Sequence, residues 1–163
     1  MTEPPAEILR RLRPIPTSAG PPRTRPHDVE GVRPDGVACR VEVMQAAAPV
    51  LLLFLSAGCL GCRVLWDGLA ELQAGLGVAA RLAVVTRSPG DEDAGAVEAL
   101  SRVAHVSGVA VVMSTPAYRD YRVAGPPFLA LAAADAVLTE SVAWGIEQTL
   151  ATARSALAEG SEP

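Results

Sequence analysis

Three apolar runs govern what this chain can fold into: "VLLLFL" (50–55), "RLAVVT" (81–86) and "GVAVVM" (108–113). Each is the length of a strand, and none shows the in–out alternation of a strand with one wet face, so each reads as a strand covered on both sides. The first is bounded by Pro49 and by Ser56-Ala57-Gly58. Between the runs the spacing changes to that of helices. Leu65, Leu69, Leu72 and Leu76 recur every three or four residues up to Gly75–Gly77, and Val97, Leu100 and Val103 do the same. "CRVEVM" (39–44) alternates, with Cys39, Val41 and Val43 on one face of a strand. "TPAYRDY" starts a short helix, with Thr115 as N-cap and Pro116 at the first helical position. "PFLALAA" and "AVLTESVAW" flank Asp135 as a hairpin, and Ile146, Leu150 and Leu157 mark a C-terminal helix. Strand–helix–strand–helix–strand closed by a hairpin and a helix predicts an α/β sandwich with a mixed sheet.

The chain has 163 residues, one domain's worth, and it is 50% hydrophobic but only 4% aromatic, so its core must be Val, Leu and Ala. A net charge of −4 leaves no electrostatic footprint for nucleic acid. All 14 basic residues are Arg, and Lys and Asn are absent, as in a GC-rich bacterial coding bias. No run approaches the roughly 20 apolar residues of a membrane span. "MTEPPAEILRRLRPIPTSAG" lacks the apolar centre of a signal peptide, which leads us to expect a cytoplasmic protein. Residues 1–33 carry prolines 4, 5, 14, 16, 21, 22 and 26 and are expected to be a disordered, proline- and arginine-rich arm. Within it "AEILRRLR" could form an amphipathic turn, either part of a solvated tail or a docking segment. The folded domain is expected over 34–158, with a disordered tail at 159–163.

Cys59 and Cys62 fall where the first apolar run hands over to a helix. A helix start presents unpaired backbone N–H groups and the positive end of the dipole, which favour the thiolate form that disulfide exchange requires. A cysteine three residues on lies one turn along and can reach back to the first. Gly61 keeps the approach open and Arg63 adds positive charge. Other readings stay open on the residues alone. The pair could be structural, or could join Cys39, His27 or His105 around zinc. Ser56, three residues before Cys59, could mark a peroxidatic cysteine, although Leu52 stands where that motif has proline. Cys39 reads as a small core residue or a third redox thiol, His105 as a cap or surface residue, and Trp66 as core.

With these elements in place the run from about 34 to 158 resembles the thioredoxin fold, and within it the TlpA-like thiol–disulfide oxidoreductases. The resemblance rests on the strand–"SAGCLGCR"–helix unit, on "YRVAGPPFLAL" (121–131) before a strand, on a helix–strand unit (92–113) between them, and on Gly145 before the last helix. It implies that Cys59 attacks and Cys62 resolves, and that Pro127 is a cis-proline lying against the disulfide. The implied substrate groove comprises Gly58, Leu60, Gly61, Pro126, Pro127, Phe128 and Trp144. It also implies a monomer that exchanges disulfides with protein thiols and draws electrons from an unidentified thiol donor, with no cofactor, metal, nucleic acid or membrane span. The departures concern proton handling. Gly58 and Gly61 replace the Trp and Pro of thioredoxins, and Leu53 and Leu65 stand where relatives carry an acid, leaving Asp67 as a substitute. A redox-sensing or partner-binding module without turnover is therefore the main alternative, with a peroxidase behind it.

Overall fold

The apolar runs fold as parallel strands at the middle of a sheet, where both faces must be dry. The computed structural model describes residues 24–161. Within them β3 (Val50–Phe54) pairs in parallel with β4 (Arg81–Thr86), and β4 with β5 (Ala110–Met113). On the other side β3 pairs antiparallel with β6 (Phe128–Ala132), which turns back into β7 (Val137–Val142). Two short strands extend the opposite edge, β1 (Val29–Val32) beside β5 and β2 (Ala38–Val41) outermost, giving the order β2-β1-β5-β4-β3-β6-β7. Successive residues of β3 face opposite sides, and all are buried. Leu51, Leu53 and Leu55 pack under α1 (Leu60–Asp67), α2 (Leu69–Leu76), α3 (Ala94–Val106) and α5 (Ile146–Gly160). Val50, Leu52 and Phe54 face Tyr118 and Tyr121 from the other side, where α4 (Thr115–Asp120) lies. No helix among the described residues is long and apolar enough to cross a membrane.

The expected boundary at residue 33 moves. Residues 24–33 belong to the folded domain: Thr24 is buried, Tyr121 Oη accepts the His27 N–H at 2.8 Å, and β1 pairs with both β2 and β5. The rest of the expected arm, including "AEILRRLR", lies outside the described residues, as do the last two of the tail. Residues 159–160 are helical, because α5 runs through Gly160. The leucine-spaced helix is two helices broken at Gly68. A Cβ there would stand 2.0 Å from Ile146 Cδ1, so α5 reaches its seat only because the junction has no side chain. The cap of α4 is Ser114, whose hydroxyl accepts the Ala117 N–H at 3.3 Å, and this puts Thr115 inside the helix. β2 stops at Val41, and the following segment is held instead by Asp28, which accepts the N–H groups of Val43 and Met44 at 2.7 and 2.9 Å.

Candidate functional site

Strand β3 ends at Phe54, and the chain makes a short turn before α1 begins. Cys59 is the N-cap residue of that helix, extended in backbone and half-buried in side chain. Cys62 lies one turn on, fully buried under the sheet with Leu53, Leu55, Leu65 and Trp66. Both are free thiols, as is half-buried Cys39 on edge strand β2, remote in sequence and in sheet position from the other two. Burial pushes the Cys62 thiol up to about 12. The Cys59 side chain beside it adds to the rise and Glu92 contributes a smaller push, while the Ser56 N–H pulls the other way.

The segment before β6 closes the other side of the site. The Pro126–Pro127 peptide is cis. Cys59 Sγ lies 3.9 Å from the carbonyl oxygen of Pro126, and a Cβ at Gly61 would sit 3.7 Å from the Pro127 ring. Ala143 donates its N–H to the Pro127 carbonyl at 3.3 Å, which brings the end of β7 alongside, in register with Phe128 opposite Val142. Trp144 follows at that end and is 79% exposed. Leu60 is 94% exposed, and Val64 and Val142 are exposed as well. Gly58, Leu60 and Gly61 are thus on one lip of the site, and Pro126, Pro127 and Phe128, all half-buried, are on the other.

Leu53 and Leu65, where the resemblance implies an acid, are fully buried in the same cluster as Cys62. Asp67 is exposed, at the last position of α1. The carboxylate that does reach the site is Glu92, in the loop between β4 and α3. Its Oε1 accepts the Ser56 hydroxyl at 3.1 Å and the Ala57 N–H at 3.0 Å. Sequence reasoning passes over it, because "GDED" reads as a polar turn and nothing in the spelling separates the half-buried middle acid from its exposed neighbours. Tyr118 is a second residue it misses. Its hydroxyl donates to the Leu55 carbonyl at 2.9 Å, and the Arg87 guanidinium stacks 4.6 Å above its ring. Burial raises the Tyr118 hydroxyl well above its ordinary range, so it stays a neutral donor. Trp66 is core, with its indole N–H on the Ser56 carbonyl at 3.2 Å. His105 lines a concavity of about 530 Å³ with Arg33, Arg102 and Val106, and neither cysteine of the pair borders it.

A cysteine capping a helix at the end of a central parallel strand, a second cysteine buried one turn later, and a proline segment facing both before an antiparallel hairpin: this arrangement is a thioredoxin-like fold. No protein-family model matches the chain, and no curated protein does. Solved structures do. A secreted Mycobacterium tuberculosis disulfide oxidoreductase homologous to E. coli DsbE superposes with a TM-score of 0.62 at 15% identity, over 78% of this chain and 95% of that one. A thioredoxin-family thiol:disulfide interchange protein from Chlorobium tepidum gives 0.62 at 18%, over 85% and 98%. StoA from Bacillus subtilis gives 0.59 at 14%, over 77% and 96%. At such identities the likeness establishes the fold, and it bears out the thioredoxin-like reading of the sequence.

Proposed function

We propose that this protein is a thiol–disulfide oxidoreductase that exchanges a Cys59–Cys62 disulfide with protein thiols and disulfides. The carrying observation is the unequal placement of the two thiols, Cys59 half-buried at a helix start facing Pro126 and Cys62 buried one turn behind it. In the reducing direction the Cys59 thiolate attacks a partner's disulfide. A Cys59–partner S–S bond forms, the partner's own S–S bond breaks, and its second sulfur leaves as thiolate. Cys62 then loses its proton and attacks Cys59 Sγ, forming the Cys59–Cys62 disulfide and expelling the partner's first sulfur as thiolate. The partner gains two electrons, and a thiol donor must supply two to restore the pair. The exposed apolar residues around Cys59, namely Leu60, Val64, Val142 and Trp144, support a protein substrate with apolar residues beside its cysteine. Trp144 takes the part of the tryptophan that Gly58 replaces.

A redox titration of the pair, followed by mass after alkylation, tests the reading. A two-electron couple near the cytosolic glutathione poise, roughly −220 to −320 mV, fits a reductant working in the cytoplasm. A couple well above that range fits an oxidant, and the absence of any Cys59–Cys62 disulfide under oxidising buffers sinks both. Buried Leu53 and Leu65 favour the second reading, a redox sensor that holds its partner without turnover, since no acid stands at either position to take the Cys62 proton. Turnover of a generic disulfide substrate with a thiol donor separates the two.

A further inference from the structure

The turn that delivers Cys59 to its helix is held from outside by one carboxylate. Ser56 is the hub of that turn. Its carbonyl takes the Trp66 indole, and its hydroxyl accepts the Gly58 N–H at 3.3 Å while donating to Glu92. The same Glu92 oxygen takes the Ala57 N–H. Glu92 does not swing freely to make these bonds. Its own N–H donates to the Ser88 carbonyl at 3.1 Å. The loop is pinned to α4 through Thr115, whose hydroxyl accepts the Ser88 N–H at 2.9 Å and donates to Asp91 at 2.6 Å, and whose N–H donates to the Ser88 hydroxyl at 2.8 Å.

We propose, on the oxidoreductase reading above, that Glu92 is a positioning residue of the thiol site: its carboxylate fixes the Ser56–Gly58 turn that leads into Cys59 and holds a charge beside that turn. The groups that act on the buried Cys62 thiol and Tyr118 hydroxyl are Cys59 on α1, Glu92 before α3 and Arg87 just after β4, while Arg63 on α1 is exposed. Among them Glu92 is the carboxylate. A fixed negative charge disfavours a second one nearby, so its removal brings the Cys62 titration to lower pH. The hydrogen bonds act separately from the charge. With them the Ala57 amide is tied down, and Cys59 enters α1 in the orientation that presents Sγ to the Pro126 side.

Two variants split these roles. Glu92→Gln keeps an oxygen acceptor for Ser56 and Ala57 but removes the charge, whereas Glu92→Ala removes both. In the full chain carrying Cys59→Ser, the pH dependence of Cys62 alkylation by iodoacetamide is read by mass spectrometry. Glu92→Gln is expected to move the profile to lower pH, with alkylation about threefold faster at a given pH below the midpoint, corresponding to roughly half a pH unit. Glu92→Ala is expected to do the same and also to speed hydrogen exchange of the Ala57 amide about tenfold or more, while exchange in β3 and β4 stays unchanged. A Glu92→Gln profile that superimposes on that of Glu92 overturns the electrostatic role. Unchanged Ala57 exchange in Glu92→Ala overturns the clamp. Neither measurement needs turnover, so a protein that fails to reduce any disulfide defeats the oxidoreductase reading without touching this result.

Discussion

The two thiols should differ in reactivity by a large, measurable factor, and the structure sets its size. Cys62 is pushed from an ordinary value of 9.0 up to about 12, first by burial. Three units correspond to about a thousandfold less thiolate at any pH well below both values, and only the thiolate alkylates. Full burial adds a second barrier, since the reagent reaches Cys62 only when α1 opens locally. Cys59→Ser removes one source of the rise but leaves burial, the largest. Alkylation of Cys62 in Cys59→Ser at pH 8 should therefore be at least about a hundredfold slower than that of Cys59 in Cys62→Ser, and should climb about tenfold per pH unit up to pH 10. The assay is a time course with iodoacetamide, quenched in acid and read by intact mass. The same division of labour requires Cys62→Ser, and not Cys59→Ser, to accumulate mixed disulfides with partners. Rates within threefold of each other, or preferential trapping by Cys59→Ser, refute the assignment of Cys59 as attacker and Cys62 as resolver.

Trp144→Ala should weaken partner trapping by Cys62→Ser several-fold yet shift the melting temperature by no more than about 2 °C, because a 79% exposed side chain contributes little to the core; trapping yield and a thermal melt check it together. Gly31→Ala should cost about 2–3 kcal/mol, roughly 5–10 °C in melting temperature, since its Cβ would stand 2.2 Å from the Met113 carbonyl oxygen and force β1 off β5. Asp28 should confer acid-sensitive stability. The N–H groups of Val43 and Met44 lower its carboxyl from 3.8 to about 2, so that stability is complete above the unfolded value and is lost as pH falls from about 4 through 2. Asp28→Asn should abolish that part of the pH dependence in urea unfolding.

What the sequence revealed and what it concealed divide along one physical line. Buried parallel strands need only apolar residues in a row, so β3, β4 and β5 are legible to within a residue or two of their ends. The strand-to-helix position of Cys59 is legible for the same reason, because it depends on local order alone. Features that depend on what approaches from elsewhere are not legible. Gly31 falls in the expected arm and Gly68 in an apparently unbroken leucine repeat, yet each is where a neighbour occupies the space of a side chain: the Met113 backbone at one, Ile146 at the other. Trp144, which the resemblance implies as part of the groove, could as a tryptophan before a helix also have packed in the core. Its position past the Phe128–Val142 pair, at the end of the last strand, leaves it exposed.

The same line explains how the site can lack both expected acids and still possess a carboxylate. An acid placed at Leu53 or Leu65 would sit in the dry cluster beside Cys62, where a charge is costly and would raise its own proton affinity. Glu92 reaches the site from a loop 30 residues downstream of Cys62, keeps contact with solvent, and has its Oε1 held by a hydroxyl and an amide N–H. A carboxyl group buried at position 53 would tend to be neutral. Such a group suits giving and taking protons, whereas Glu92 is placed to hold the turn. Leu53→Asp makes the distinction testable: if Glu92 is a fixed anion and the site lacks a proton acceptor, Leu53→Asp should speed the resolving step at pH 7 while lowering stability by about 3 kcal/mol or more. If Glu92 already accepts the Cys62 proton, Leu53→Asp should destabilise the fold and leave the rate of resolution, measured by release of a Cys59-bound partner, where it was.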